Sequence, residues 1–218
     1  MTKREQRELS ENRIIAATLQ IVALRGVSRA TLAEIGESAG YSRGLPAHLF
    51  GNKDALLAEC VRRIQTDYWI NVFPEIDEYG AFHALITAIG MWVRDLTAEN
   101  GTLPRARLLL LQEVVTGSAP EKYPTFVPAA RKFISASQHR FQAYILAGQN
   151  DGEIRADLDT KFHATLIYTT LRGVSQRWLI DSASIDVVEF SRTFIDYLKY
   201  QLLVSPEEYG KALAKADG

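Results

Sequence analysis

Hydrophobic residues recur every three to four positions along most of this chain, which is the spacing of amphipathic α-helices. The clearest case is 78–98, where Phe82, Leu85, Ile89 and Val93 share one face. No window shows the strict alternation of a half-buried strand. The pattern predicts helices at about 3–25, 31–39, 43–50, 53–72, 78–98, 125–148, 158–180 and 185–204.

A continuous apolar run at 108–115 is too uniform for a helix with one exposed face. It is flanked by Pro104 and by the turn-forming run 117–120, so it predicts a short buried helix. A strand is the alternative, but the sequence offers no second strand to pair with it. We therefore predict an all-α fold of about nine helices.

The stretch 31–53 predicts two short helices joined by a tight turn. Thr31 is placed to cap the first helix, with a glutamate three residues on as in a capping box. Gly40 suits the left-handed position after that helix, and Ser42 can cap the second. Asn52 can cap a third helix. This arrangement is that of a DNA-reading helix-turn-helix, whose second helix enters the major groove.

The same stretch contains the run T-x-x-x-I-x-x-x-A-G-Y-S-R-G-x-x-x-x-x-F-x-x-K-x-x-L. It resembles the N-terminal signature of the tetracycline-repressor (TetR) family and covers about a tenth of the chain. The positions that carry the resemblance are Thr31, Ile35, Ala39, Gly40, Tyr41, Ser42, Arg43, Gly44, Phe50, Lys53 and Leu56.

The second helix departs from the commonest family pattern. Pro46 and Ala47 stand where many members carry an aliphatic residue followed by tyrosine. Proline is tolerated only in the first helical turn, so Pro46 predicts that the helix starts near Arg43. The missing tyrosine removes one phosphate contact that the family pattern implies.

The resemblance implies a DNA-binding domain at 1–53 and a helical ligand-binding and dimerisation domain at 54–218. It implies a repressor that leaves a palindromic operator when a small molecule binds the larger domain. The expected partners are double-stranded operator DNA, an unidentified small-molecule effector and a second copy of the chain.

The expected DNA contacts lie in the helix-turn-helix. Arg43 has the fork geometry for guanine or phosphate, and Gly44 lets the helix approach DNA closely. Lys53 opens a helix, where a phosphate can bind. The full set of expected contacts is Thr31, Tyr41, Ser42, Arg43, Gly44, His48 and Lys53.

Aromatic and polar residues on inward faces of the larger domain are expected to line a ligand cavity, with ordinary core packing as the alternative. Glu113 follows an apolar run, where its carboxylate either faces solvent or orients a polar ligand. The expected lining is Met91, Trp92, Glu113, Phe126, Phe133, Tyr144 and Tyr168.

The last two helices have broad apolar faces, which are expected to form a four-helix dimer seam with the partner's helices. The alternative is that these faces pack only within one subunit. The expected seam residues are Leu171, Val174, Trp178, Phe190, Phe194 and Tyr197.

The distribution of charge along the chain agrees with a DNA-binding domain at the N-terminus. Residues 1–53 carry eight Lys or Arg against five Glu, so this segment has net charge +3 within a chain of net charge −1. The remaining −4 lies in 54–218, and this asymmetry is the one expected of a basic head on an acidic body.

Other features narrow the function classes. Cys60 is the single cysteine, so no intramolecular disulfide forms, which fits a reducing cytoplasm. The first residues lack the apolar segment of a secretory signal, and no run reaches the ~20 apolar residues of a membrane span. The 4 histidines are scattered, with no H-E-x-x-H or G-x-S-x-G motif. We therefore expect that the protein is not an enzyme and that it has no catalytic residue, cofactor or metal. The alternative to a DNA-binding regulator is a helical interaction protein with a degenerate DNA-binding head.

Overall fold

The computed structural model describes residues 2–98, 101–116, 121–207 and 209. Within these residues the regular secondary structure is α-helical, apart from one 3₁₀ turn at Ser182–Ser184 and one isolated bridge between Ile154 and Leu203, which confirms the predicted all-α fold. The helices are α1 Lys3–Arg25, α2 Leu32–Ser38, α3 Leu45–Phe50, α4 Lys53–Val72, α5 Ala81–Leu96, α6 Thr102–Thr116, α7 Phe126–Asn150, α8 Thr160–Ile180 and α9 Val187–Leu202.

Capping explains most of the helix ends that differ from prediction. The α5 helix begins at Ala81 rather than 78, because Gly80 lies before it at φ 94°. Asp159 and Asp186 cap α8 and α9 through the backbone N–H groups that follow them. The α6 helix begins at Thr102, so Pro104 lies in its first turn instead of flanking it.

Among the described residues the chain divides into two compact units. One comprises Met1–Tyr68 and Ala98–Ile134, and the other comprises Trp69–Thr97 and Ser135–Gly218. The α4 and α7 helices each contribute residues to both units. The division at residue 53 into a DNA-binding and a ligand-binding domain stays a prediction.

The core of the first unit forms around the buried side of α1. Ile14 and Val22 are fully buried there, and α6 packs along the same helix. Arg105 on α6 donates from Nε to the Ala23 carbonyl at 2.9 Å, which satisfies one of the free acceptors at the end of α1. Other members of this core are Ile35, Leu56, Leu57, Leu110, Phe126 and Phe133.

Asp54, in the first turn of α4, caps the start of α7. Its Oδ2 accepts from the Thr125 backbone N–H at 2.9 Å and its Oδ1 from the Phe126 N–H at 2.8 Å. The residue is 9% exposed, so both hydrogen bonds are largely shielded from water. This carboxylate therefore fixes the α7 N-terminus to α4 inside the first unit.

The second unit contains a comparable contact. Glu153 Oε2, in the turn after α7, accepts from the N–H groups of Ala81 and Phe82 at 2.9 and 3.1 Å. Burial raises the pKa of this carboxyl, against the two N–H donors that lower it. A Cβ on Gly80 would lie 2.9 Å from the Glu153 carboxylate, so glycine is needed there for space as well as for its positive φ.

No helix formed by the described residues combines the length and the apolar character that crossing a membrane requires.

We expect Asp54→Ala to lower the free energy of unfolding by about 1–3 kcal/mol, because two N–H groups at the start of α7 lose their acceptor. Asp54→Asn keeps one acceptor and should lose less. Chemical denaturation monitored by circular dichroism measures both. Glu8→Ala, which removes an exposed carboxylate from α1, is the control, and equal losses in Asp54→Ala and Glu8→Ala would contradict the capping role.

Candidate nucleic-acid interface

The turn between α2 and α3 is fixed by backbone hydrogen bonds. Gly40 lies at φ 78°, and its N–H donates to the Glu37 carbonyl at 3.0 Å. The Tyr41 N–H donates to the Gly36 carbonyl at 2.9 Å. This pair of bonds is a Schellman motif, which confirms the predicted left-handed glycine after α2.

Gly36 allows α2 to lie directly against the segment that leads into α3. A Cβ at this position would be 2.5 Å from the Ser42 carbonyl oxygen and 3.1 Å from Pro46 Cδ. No larger side chain fits without moving backbone. Sequence reasoning missed this contact, although a glycine within a short helix is itself a signal of close approach.

The helix α3 starts later than predicted. It begins at Leu45 after Gly44, and no side chain caps it, so the prediction of Ser42 as its N-cap is wrong. The reason is a turn over 42–45, in which the Leu45 N–H donates to the Ser42 carbonyl at 3.1 Å. Pro46 then falls in the first turn of α3, where its missing N–H has no partner to lose.

Other predicted caps are confirmed. Thr31 Oγ1 accepts from the Glu34 N–H at 3.2 Å, and Asn52 Oδ1 accepts from the Ala55 N–H at 2.9 Å. The carboxylate of Glu34 pairs with Arg25, and the structure records only the threonine half of the capping box.

Most of the residues predicted to contact DNA lie at the surface of the turn and of α3. Ser42, Arg43, Gly44 and His48 are exposed, as is Thr31 at the start of α2. Tyr41 is half-buried and packs against the core of the first unit. The structure therefore brings the turn and the outer side of α3 together as one exposed polar surface.

Arg43 has one ion-pair partner on this surface. Its Nε lies 2.5 Å from Glu37 Oε1, and the two side chains are 72% and 52% exposed. Exposed pairs of this kind contribute little stability, because water competes with both groups. The guanidinium is thus held near the turn at small cost and keeps further N–H donors for another acceptor.

Lys53 is less free than its sequence position suggests. Its Nζ donates to the carbonyls of Val27 and Ser28 at 2.7 and 3.4 Å. Burial lowers the pKa of this ammonium, as does the nearby Lys122, while Glu113 acts in the opposite direction. Lys53 therefore connects the start of α4 to the segment between α1 and α2.

The residues predicted to line a ligand cavity fall in both compact units. Met91, Trp92, Tyr144 and Tyr168 belong to the unit that contains α5, α8 and α9, and the Tyr168 hydroxyl is buried with no hydrogen-bond partner among the described residues. The other three, Glu113, Phe126 and Phe133, belong to the unit that contains α1, and the two phenylalanines are part of its core.

The second unit contains an open cavity of about 630 Å³ that sequence reasoning missed. The end of α4 and the middle of α7 form its walls. Arg140 faces it and pairs with Glu75, Nη2 to Oε1, at 3.1 Å. The lining residues are Trp69, Ile70, Phe73, Pro74, Glu75, Ala136, His139, Arg140 and Ala143. The local sequence signal for this site is a histidine next to an arginine in α7.

The predicted seam residues differ in exposure. Leu171, Val174 and Phe194 are buried within the single chain, whereas Tyr197 is 47% exposed. Trp178 and Phe190 are intermediate. Further apolar side chains at the surface of α8, α9 and the segments that follow them are Phe162, Ile180, Val188, Tyr200 and Val204.

Comparison with known proteins places the helix-turn-helix in a family. The family model described as "Bacterial regulatory proteins, tetR family" matches residues 14–60. The chain is 38% identical over 69 residues to the HTH-type transcriptional regulator BetI of Paraburkholderia phytofirmans, covering 32% of this chain and 35% of that protein. The match therefore spans about a third of that relative's length.

Two comparisons extend along the chain. BetI of Ectopseudomonas mendocina is 26% identical over 214 residues, covering 93% of this chain and 98% of that one. The solved structure of SmeT, the repressor of the Stenotrophomonas maltophilia multidrug efflux pump SmeDEF, has a TM-score of 0.72 at 20% identity, covering 90% of this chain and 92% of that one. The last similarity is one of fold.

We expect Gly36→Ala to lower the free energy of unfolding by about 1–3 kcal/mol, because its methyl group would overlap the Ser42 carbonyl. Gly44→Ala is the matched control, since a Cβ there meets nothing within 4 Å. Thermal unfolding of both variants checks the prediction. An unchanged melting temperature for Gly36→Ala would show that the turn can move away without cost.

Proposed function

Because this chain belongs to the tetR family of bacterial regulatory proteins by its residues 14–60, we propose that it is a transcriptional repressor. It binds a palindromic operator as a homodimer and leaves it when a small molecule binds the body at 54–218. The observation that carries the proposal is the exposed polar surface over the turn and α3, held rigid by the Schellman motif and by Gly36.

This surface suits the major groove of DNA. The Leu45, Leu49 and Phe50 side chains pack on the core of the first unit, which leaves Ala47 and His48 on the outer side of α3. A helix that is anchored on one side can present its other side to base edges. Arg43, at the start of this side, can exchange Glu37 for a guanine or a phosphate.

The remaining predicted contacts act on the DNA backbone. Thr31 and Ser42 have exposed hydroxyls that can donate to phosphates, and the exposed Gly44 leaves room for close approach. Lys53 donates at least one N–H to the Val27 carbonyl. Its main role is therefore to hold the segment between α1 and α2 in position beside the DNA. The excess of positive charge in 1–53 favours association with DNA.

A homodimer solves the problem of specificity. One short recognition helix reads only a few base pairs, whereas two helices related by a two-fold axis read a palindrome. The exposed aromatic and aliphatic side chains of α8 and α9, Tyr197 and Tyr200 among them, support a seam on these helices.

The effector acts by population shift. A ligand that favours a conformation with badly spaced recognition helices weakens operator binding by its differential affinity, commonly about 1–3 kcal/mol. The 630 Å³ cavity beside Arg140 has the size of a small-molecule site. A regulator of this kind acts in the cytoplasm, where its operator is, and catalyses no reaction.

The alternative, an interaction protein with a degenerate head, rested on Pro46. That residue lies in the first turn of α3, where proline is compatible with an intact helix. This placement supports the regulator.

We expect Arg43→Ala to weaken binding to DNA upstream of the protein's own gene by about 1–3 kcal/mol, because one base or phosphate contact is lost. Gel-shift titrations over a range of salt concentrations measure it, and a phosphate contact would also reduce the salt slope by about one. Arg62→Ala, which removes an exposed arginine on α4, should bind like the wild type. Absence of sequence-specific binding by the wild-type protein would contradict the proposed function.

We expect Tyr197→Glu to weaken dimerisation by about 2 kcal/mol or more, because it places a charge in an aromatic seam. Sedimentation velocity at several protein concentrations measures the monomer–dimer equilibrium. Leu24→Glu is the control, since Leu24 is an exposed apolar residue on α1, a helix that the proposed seam does not include. A wild-type protein that stays monomeric at micromolar concentrations would contradict the seam.

A further inference from the structure

The cavity between the end of α4 and the middle of α7 has the chemistry to select one class of ligand. We propose that it binds an amphipathic anion, whose acidic group pairs with Arg140 and whose aromatic or aliphatic body lies against Trp69 and Phe73. This inference rests on the proposed function, since it identifies the cavity as the effector site and names the effector's chemical class.

Arg140 is held in place as an anion anchor. Its side chain is 37% exposed, and its Cζ lies 5.7 Å from the centre of the Tyr144 ring. The Tyr144 hydroxyl in turn donates to the Pro74 carbonyl at 2.5 Å, which fixes the ring against the cavity wall. A guanidinium restrained in this way can bind a carboxylate through two parallel N–H groups with little loss of side-chain freedom.

Glu75 marks the position that the ligand's acidic group would take. Its carboxylate pairs with Arg140, yet its side chain is 92% exposed. An ion pair with one fully solvated partner is weak, because water and salt compete for the carboxylate. A ligand anion whose apolar part is held in the cavity can therefore replace Glu75 as the partner of Arg140. The Glu75 side chain, which is already exposed, then rotates into the solvent at little cost in free energy.

The apolar part of the cavity provides the affinity that a carboxylate alone lacks. Trp69 is 40% and Ile70 is 76% exposed, so a ligand that covers them removes apolar surface from water. A volume of about 630 Å³ accommodates a drug-sized molecule. His139 lines the same cavity and offers a ring nitrogen as a second polar contact for the ligand.

The test uses the full-length protein and three naphthyl probes of similar size and different charge: 2-naphthoate, neutral 2-naphthylmethanol and cationic 2-naphthylmethylammonium. Isothermal titration calorimetry should show 2-naphthoate binding at least tenfold more tightly than the other two. Tighter binding of the neutral or the cationic probe, or no binding of any probe at millimolar concentration, overturns the proposal.

Two variants with opposite expected effects on 2-naphthoate affinity test whether Arg140 binds the acidic group. Arg140→Gln should weaken 2-naphthoate binding at least tenfold and change 2-naphthylmethanol binding less than twofold. Glu75→Gln should strengthen 2-naphthoate binding two- to fivefold, because the competing carboxylate is gone. Arg94→Gln removes an exposed arginine of α5 that does not line the cavity, and it should change neither probe. Wild-type affinity for 2-naphthoate in Arg140→Gln overturns the anchor, and Glu75→Gln remains informative if Arg140→Gln fails to fold.

Gel shifts with and without 2-naphthoate separate this inference from the proposed function. If the protein binds an operator but does not bind 2-naphthoate, the proposed regulator function is supported and the proposed anion site is overturned. The predicted 2-naphthoate binding by a protein that binds no operator supports the anion site and overturns the regulator. Operator binding that 2-naphthoate weakens supports both.

Discussion

The buried apolar side of α1 is the constraint on which the first unit depends. The helix-turn-helix packs on it through residues such as Ile35, and α6 packs along it as well. Thr18 lies fully buried in this region, and its hydroxyl donates to the Ile14 carbonyl at 2.7 Å, so this buried polar group has a hydrogen-bond partner. Because one helix carries both sets of contacts, the exposed surface of α3 rests on the same core as α6.

Helical periodicity and local capping chemistry predicted most of the fold. Thr31, Gly40 and Asn52 act through neighbours within a few residues, and such contacts can be inferred from the sequence. The predicted cap at Ser42 was wrong because the chain makes one more turn before α3, and two turn geometries fit the same residues. Pro46 was compatible with both starting points.

The candidate sites depend on contacts between residues distant in sequence, which periodicity cannot supply. Trp69 and Arg140 share a cavity although 71 positions separate them in the chain. Asp54 caps a helix that begins after residue 125, with no local signal for that partnership. An apolar face also does not show what covers it, so Leu171 was expected at a seam although it is buried within the chain.

The three tryptophans of this chain lie in different surroundings. The indole N–H of Trp92, buried in the second unit, donates to Ser175 Oγ at 3.1 Å, and Trp178 is half-buried, whereas Trp69 forms an open wall of the cavity beside Arg140. Indole emission responds to the polarity around the ring and to quenching groups near it. Of the three tryptophans, Trp69 is therefore the one whose emission a ligand in the cavity would change directly.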